Sequence, residues 1–119
     1  MNFTLGELVG EIRRLAGVEP DRVTPEPANR YSAVVGGHAQ PHCLVGHAVY
    51  NLSDDPNIVE TLVDWDSRND GYGEDAATLL RGRGHRGKAA DWVFWAQDAQ
   101  DGGASWAEAV RRADAEAYA

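Results

Sequence analysis

Clusters of proline and glycine divide this chain of 119 residues into short segments, and they limit the fold more than any other sequence feature. Pro20, Pro25 and Pro27 exclude a helix over residues 17–29, because proline lacks an amide hydrogen and fixes φ. Further breaks are predicted at Gly36-Gly37, residues 66–73, residues 81–88 and Gly102-Gly103. The predicted fold is therefore mainly α, a compact bundle of about five or six short helices that leaves room for a short β-hairpin. We expect one domain over residues 1–119, with 17–29 as a proline-rich surface linker.

The N-terminal helix has the clearest signals. Thr4 and Glu7 predict a capping box, in which each side chain satisfies a backbone N–H group at the helix start. Apolar residues then recur with the spacing of one helical face, and these are Leu5, Leu8, Val9, Ile12, Leu15 and Ala16. We predict a helix over residues 4–16, ended by Gly17 in a left-handed conformation.

A hairpin and a second helix are predicted next. Alternation over residues 31–35 and the Gly36-Gly37 pair predict a strand and a turn, with residues 38–42 returning antiparallel. Such a hairpin must pack on helices to persist. The helix that follows is predicted to start near Pro41 or His42, and Gly46 would let another helix approach it closely.

The second half of the chain is predicted to be helical between loops. Asp54 or Asp55 caps a third helix that has Pro56 in its first turn. Its predicted buried face consists of Ile58, Val59, Leu62 and Val63. A loop over residues 66–73 precedes three further predicted helices, at residues 74–81, 89–100 and 105–117.

The charge balance is acidic, with 19 Asp and Glu against 11 Lys and Arg and a net charge of -8. This favours solubility and opposes nonspecific binding to nucleic acid or to anionic lipid. No run of about 18 apolar residues is present to span a bilayer. The N-terminal segment carries Glu7 and Glu11 among its apolar residues, unlike a secretory signal, and the single Cys43 cannot form an internal disulfide. We therefore expect a cytoplasmic protein without membrane contact.

Most of the histidines and the only cysteine lie close together, at His38, His42, Cys43 and His47. Imidazole and thiolate are the ligands that zinc prefers. On a helix that starts near Pro41, Cys43 and His47 would lie one turn apart on one face, with His38 or His42 completing a zinc site. Because the spacing matches no standard zinc finger, we expect no cofactor and keep a zinc-binding module as an alternative.

The same residues permit nucleophilic catalysis. The helix dipole lowers the pKa of a thiol in a first turn, and His47 or His42 could act as the base of a Cys43-dependent enzyme. The surrounding apolar residues favour a third interpretation. Cys43 would then be a buried, inert side chain of a core helix, and His47 a hydrogen-bond donor.

Two motifs carry a resemblance to known proteins. C-L-V-G-H at Cys43–His47 and A-Q-x-x-Q-D-x-G-x-S-W-x-x-A-V at Ala96–Val110 resemble small uncharacterised proteins of actinobacteria and their phages. The resemblance covers residues 31–113, and it implies such a source and a helical fold without a specific activity. In that group the positions of His38 and His42 are not typically histidine.

A polar cluster lies within the second motif. Gln97, Gln100 and Asp101 share a helical face, and Trp106 follows the glycine turn. In an αα-hairpin, the amides would cap a neighbouring helix end and the indole would cover the corner. A ligand-binding polar pocket is the alternative. The structural role is favoured because buried amides usually satisfy backbone groups.

Two charged segments contain residue types that bind ligands in other proteins. Residues 81–88 could grip phosphates through Arg81, Arg83, Arg86 and Lys88. Nucleic acid is not expected elsewhere, because the rest of the chain is acidic. The acidic segment at residues 64–71 loosely resembles a calcium loop through Asp64, Asp66, Asn69 and Asp70. Its glycine and the following Glu74 do not fit an EF-hand, so a turn rich in Asx side chains is preferred.

The tryptophans supply the main argument for function. Trp92 and Trp95 are three residues apart with Phe94 between them on another face, so the helix is expected to expose an aromatic side chain. Tryptophan is enriched at interaction hot spots. We therefore interpret the chain as a small non-enzymatic protein-interaction or accessory factor with a host or phage protein as its partner. The expected binding residues are Trp92, Trp95, Gln97, Gln100, Asp101 and Trp106.

Overall fold

The computed structural model describes residues 2–68, 75–81 and 87–117. They form six α-helices and one two-stranded antiparallel sheet, as the sequence predicts. In chain order the elements are α1 (Leu5–Val18), β1 (Ser32–Val35), β2 (His38–Pro41), α2 (Leu44–Leu52), α3 (Ile58–Arg68), α4 (Ala76–Arg81), α5 (Lys88–Asp101) and α6 (Trp106–Ala117).

The first helix begins as predicted and ends later. Thr4 Oγ1 accepts from Glu7 N at 3.0 Å, and Thr4 N donates to Glu7 Oε1 at 2.9 Å, which completes the capping box. The helix continues through Gly17 to Val18, and Gly17 does not have the positive φ that a left-handed stop requires. The prediction at Gly17 is therefore wrong. Glu19 N donates to Leu15 O at 2.9 Å at the helix end.

The hairpin forms around the predicted turn. Val35 pairs with His38 and Ser32 with Pro41, and Gly36 and Gly37 adopt φ values of 58° and 83°. Two consecutive left-handed residues match the right-handed twist of the strands, and glycine adopts that conformation without steric cost. The sheet packs on α3, which supports this short hairpin.

Helix α2 starts at Leu44, two to three residues after the predicted start near Pro41 or His42. Pro41 belongs to β2, and Cys43 is the N-cap, whose Sγ accepts from Gly46 N at 3.2 Å. The predicted close approach at Gly46 exists, but it is made by the backbone before β1 and not by a helix. A Cβ at Gly46 would lie 2.3 Å from Tyr31 O, so only glycine fits there.

Helix α3 extends further than predicted. Residues 66–68 continue it where a loop is expected, and both Trp65 and Asp66 are buried. Ile58 and Leu62 are buried as predicted, whereas Val63 is exposed. Helix α4 begins at Ala76, and the predicted start at Glu74 lies outside the described residues.

Helix α5 lies at the centre of the packing. It contacts α6 most extensively and also contacts α1, α2 and α4. The segment at residues 17–29 is only partly on the surface, because Thr24 and Ala28 are buried against this assembly. The expectation of a surface linker is wrong at these two positions. None of the helices in the described part of the chain is long and apolar enough to cross a bilayer.

Candidate functional site

Gln100 lies on the side of α5 that faces the core and is fully buried. Its Oε1 accepts from Thr24 Oγ1 at 2.8 Å and from Leu44 N at 3.4 Å. Its Nε2 donates to Ala28 O at 3.0 Å and to Asp101 Oδ1. An amide side chain has two donor hydrogens and two acceptor lone pairs, so every hydrogen-bonding position of Gln100 is used. This side chain joins α5 to residues 17–29 and to the first residue of α2.

Gln97 lies one turn earlier on the same side of α5 and is also buried. Its Oε1 accepts from Ala76 N at 3.0 Å, and its Nε2 donates to the hydroxyl of Tyr31 at 2.7 Å. Ala76 is the first residue of α4, so this amide satisfies one of the N–H groups that a helix start leaves unpaired. The two amides thus cap α4 and α2, and neither caps the adjacent α6.

Trp106, the first residue of α6, is fully buried against the same network. Its Nε1 donates to Thr24 Oγ1 at 3.1 Å, and Thr24 in turn donates to Gln100. The Arg22 guanidinium lies over the Trp106 ring, 4.3 Å from its centre. Trp106 therefore covers the corner between α5 and α6, with no exposed surface to offer a partner.

Asp101, the last residue of α5, lies at the border of this network. Burial raises the pKa of Asp101 to about 7, the hydrogen bond from Gln100 opposes the shift, and the nearby charge of Asp98 adds to it. Asp101 also lines a cavity of about 160 Å³ together with Asp75, Phe94, Gln97 and Asp98. Asp98 was not identified from the sequence, where nothing distinguishes it from other exposed acids.

Trp92 was expected at an exposed binding face, and it is fully buried instead. Its Nε1 donates to Asp114 Oδ1 at 2.8 Å, and the Arg13 guanidinium lies 5.0 Å from its ring centre. Residues three apart on a helix are separated by about 60° around the axis, which is enough to place Trp92 inside and Trp95 at the surface.

The exposed side of α5 carries Asp91, Phe94, Trp95 and Asp98, which we call the outer face. Phe94 is 44% exposed and Trp95 is 36% exposed. Their rings are 5.2 Å apart and stand nearly perpendicular, at 79°. Trp95 also borders a cavity of about 260 Å³ between α5 and α6, lined in part by Asp98 and Arg112. The expected exposed aromatic is thus a pair, Phe94 and Trp95.

The residues of the histidine and cysteine cluster point in different directions. His38 is exposed at the start of β2, and His42 Nε2 lies 2.8 Å from Pro25 O and 3.1 Å from Pro27 O. His47 Nδ1 lies 2.9 Å from Cys43 O, and its ring packs on Trp106 at 5.6 Å. Within residues 2–68, 75–81 and 87–117, no three His, Cys, Asp or Glu side chains are grouped so that they could hold a metal ion.

Cys43 is fully buried, and its environment opposes the thiolate. Burial raises the pKa of Cys43 to about 12, although the hydrogen bond from Gly46 N to its sulfur acts in the opposite direction. Burial also lowers the pKa of His47. A nucleophile needs a lowered thiol pKa and an accessible sulfur, and Cys43 has neither.

The two charged segments have structural contacts where they are described. Arg81 donates to Phe3 O and to Leu80 O, and Lys88 also has a partner. Arg83 and Arg86 lie outside the described residues. The first part of the acidic segment is helical and not a turn, and Asp64 pairs with Arg68 at 3.0 Å. The rest of that segment, including Asn69 and Asp70, is likewise outside the described residues.

Asp66 has a role that sequence reasoning missed. Its buried carboxylate accepts from Tyr31 N at 2.7 Å, from Ser32 N at 2.9 Å and from Ser32 Oγ at 2.5 Å. Arg30 lies 3.8 Å from the same carboxylate. Asp66 therefore links the start of β1 to α3, and its carboxylate is buried and already accepts three hydrogen bonds.

Comparison of this chain with protein-family models, with curated proteins and with solved structures gives no match.

Proposed function

We propose that this protein is a non-enzymatic protein-interaction or accessory factor that binds its partner through the outer face of α5. The observation that carries the proposal is the exposed pair of Phe94 and Trp95 on a helix whose opposite side is buried. Exposed single apolar residues are common on protein surfaces, whereas adjacent large aromatic side chains mark interaction sites more often.

The surroundings of the pair support binding of a protein and not of a small molecule. Phe94 and Trp95 each border a shallow depression, of about 160 and about 260 Å³. Ligand pockets for small molecules are generally larger, at about 300–1,000 Å³, and enclose most of the ligand. Two neighbouring small depressions, each with one aromatic residue at its edge, suit the side chains of a partner protein.

The non-enzymatic part of the proposal depends on Cys43. Because the sulfur is buried and its pKa is raised, we expect no reaction of the native protein with a thiol reagent at neutral pH. Labelling should occur only after denaturation. Rapid labelling of the folded protein would favour the Cys43-dependent enzyme instead.

The motifs at Cys43–His47 and Ala96–Val110 support a further part of the proposal. They suggest that the gene comes from an actinobacterium or one of its phages, with a cytoplasmic host or phage protein as the partner. The acidic charge and the single cysteine agree with a cytoplasmic location.

Site-specific photocrosslinking tests the proposal. A benzophenone amino acid replaces Phe94 in one variant and Tyr50 in a control variant, because Tyr50 on α2 is also 44% exposed. In a cytosolic extract of the source organism, the variant at position 94 should give a discrete crosslinked protein that Trp95→Gln removes. The same adduct from position 50, or none from position 94, would contradict binding at the outer face.

A further inference from the structure

The charged residues around Phe94 and Trp95 identify the chemistry of the partner. Acidic residues outnumber basic ones on the outer face and in the two depressions beside it. Among the described residues there, the acids are Asp75, Asp91, Asp98, Asp101 and Glu116, and the base is Arg112. Arg112 is already engaged, since its Nε lies 3.3 Å from Glu108 Oε1.

Three acids elsewhere on the surface have arginine partners close by in the chain. Glu11 pairs with Arg14 at 2.7 Å, Glu19 with Arg22 at 2.7 Å, and Glu108 with Arg111 at 2.5 Å. These pairs neutralise much of the local charge.

Asp91 and Asp98 differ from those acids. Among the residues that the structure describes, neither forms an ion pair with a cation. Within the described part of the chain, the outer face therefore carries two acids whose charge no ion pair neutralises.

Asp98 has a central position on this face. It follows Trp95 by three residues and Phe94 by four, which places all three side chains together on one side of the helix. It is also the residue that borders both depressions. A cation bound at Asp98 would thus lie between an acidic depression lined by Asp75 and Asp101 and a more apolar one beside Trp95. A guanidinium there could also stack on the exposed indole of Trp95.

We infer that the outer face binds a basic, apolar segment of another protein, in which an aliphatic or aromatic side chain fills the depression beside Trp95 and an Arg or Lys pairs with Asp98 at the edge of the acidic depression beside Phe94. This inference rests on the proposed function, since it names the partner of the same surface.

A second copy of this chain does not fit the same face. Each copy has a net charge of -8, and a symmetric contact at α5 would bring Asp91 and Asp98 against their own counterparts. Like charges placed opposite each other at an interface weaken it. Charge complementarity therefore favours a basic partner over self-association.

Two synthetic peptides test the inference. Both are helix-forming and carry leucines at positions i and i+4, but one has arginines beside the leucines and the other has glutamates. Titration into isotopically labelled protein, followed by NMR, should shift the backbone signals of residues 91–98 and the indole signal of Trp95 with the arginine peptide only.

Charge reversal provides the matched control. Asp98→Lys should lower the affinity for the arginine peptide by roughly fivefold or more. Asp54→Lys makes the same change in net charge on the exposed loop before α3, and it should leave that affinity within about twofold. Raising the salt concentration should weaken binding to the native protein and have little effect on Asp98→Lys.

The outcomes separate this inference from the proposed function. Equal binding of both peptides at the outer face, abolished by Phe94→Gln, would overturn the charge preference and leave protein binding in place. No binding of either peptide would overturn the inference, while the photocrosslink from position 94 would decide the function separately. If the native protein formed concentration-dependent dimers and Phe94→Gln abolished them, a second copy of the chain would be the partner, and the inference of a basic partner would be overturned.

Discussion

The two sides of α5 each carry a pair of residues that is unusual for its location. The buried side of α5, which we call the inner face, holds the amides Gln97 and Gln100. The outer face holds Phe94 and Trp95. An ordinary amphipathic helix buries its aromatic residues and exposes its amides. The buried amides and the exposed aromatic pair have different causes. Hydrogen bonds to other described residues account for the buried amides, whereas the described residues leave Phe94 and Trp95 44% and 36% exposed.

The inner face is explained by backbone groups that lack partners. Leu44 N and Ala76 N are at helix starts, and Ala28 O belongs to a segment without secondary structure. A buried backbone group without a partner costs about 1–3 kcal/mol. The amides satisfy these groups from the side of α5, which lets short helices and an irregular segment pack in the core.

The largest expected effect is on the inner face. Gln100→Leu has similar volume but removes four hydrogen bonds, and it leaves Leu44 N and Ala28 O buried without this partner. We expect the free energy of unfolding to fall by about 3 kcal/mol, as measured by urea denaturation. The labelling rate of Cys43, next to Leu44, should rise in the same variant.

Phe94→Leu is the matched control for this experiment, because it places the same side chain on the other side of the same helix. If Phe94→Leu lowered the free energy of unfolding as much as Gln100→Leu does, the outer face would contribute as much to stability as the inner face. A loss below about 1 kcal/mol in Gln100→Leu would show that its hydrogen bonds are energetically dispensable.

A smaller effect is expected at Gln97. Gln97→Leu removes the bonds to Ala76 N and to the Tyr31 hydroxyl, so we expect a loss of about 2 kcal/mol. Because Ala76 begins α4, hydrogen exchange should increase mainly in α4. Uniform loss of protection over all helices would contradict a local capping role for this amide.

The fold could be predicted to a large extent from local patterns. The capping box at Thr4 and Glu7 and the turn at Gly36-Gly37 each depend on residues a few positions apart. The helix ends were less predictable. Gly17 continues a helix because glycine permits a left-handed stop without enforcing it.

The sites could not be predicted as well, because they depend on contacts distant in sequence. Gln100 and Thr24 are 76 residues apart, and Asp66 and Ser32 are 34 apart. In the sequence, Asp66 looks like part of an acidic loop, and only its position on α3 beside β1 makes it a buried anchor. Likewise, the spacing of Trp92 and Trp95 does not indicate which of them faces the core.

The pH dependence of stability tests the border between the faces. The pKa of Asp101 is raised from 3.8 to about 7 in the folded protein, so the folded state holds a proton that the unfolded chain has lost. Its contribution to stability is therefore complete below about pH 4 and is lost as the pH rises through about 7. Because the side chain is partly exposed, we expect a change of about 1–2 kcal/mol.

Asp101→Asn should remove this change, since asparagine stays neutral and can still accept from Gln100. The free energy of unfolding of the variant should equal that of the native protein near pH 4 and exceed it near pH 8. Asp54→Asn, on an exposed loop, controls for the loss of one carboxylate. A pH dependence of unfolding that Asp101→Asn leaves unchanged would place the proton on another group.

The smallest effect on stability is expected on the outer face. Phe94→Gln replaces an exposed ring with a good helix former, and it loses the edge contact with Trp95 but no hydrogen bond. We expect the free energy of unfolding to change by about 0.5 kcal/mol, because exposed substitutions rarely exceed this. Partner binding should nevertheless be lost, as judged by crosslinking from a benzophenone placed at Trp95. A large loss of stability would mean that Phe94 supports the fold, and binding that survives would remove the pair as the docking site.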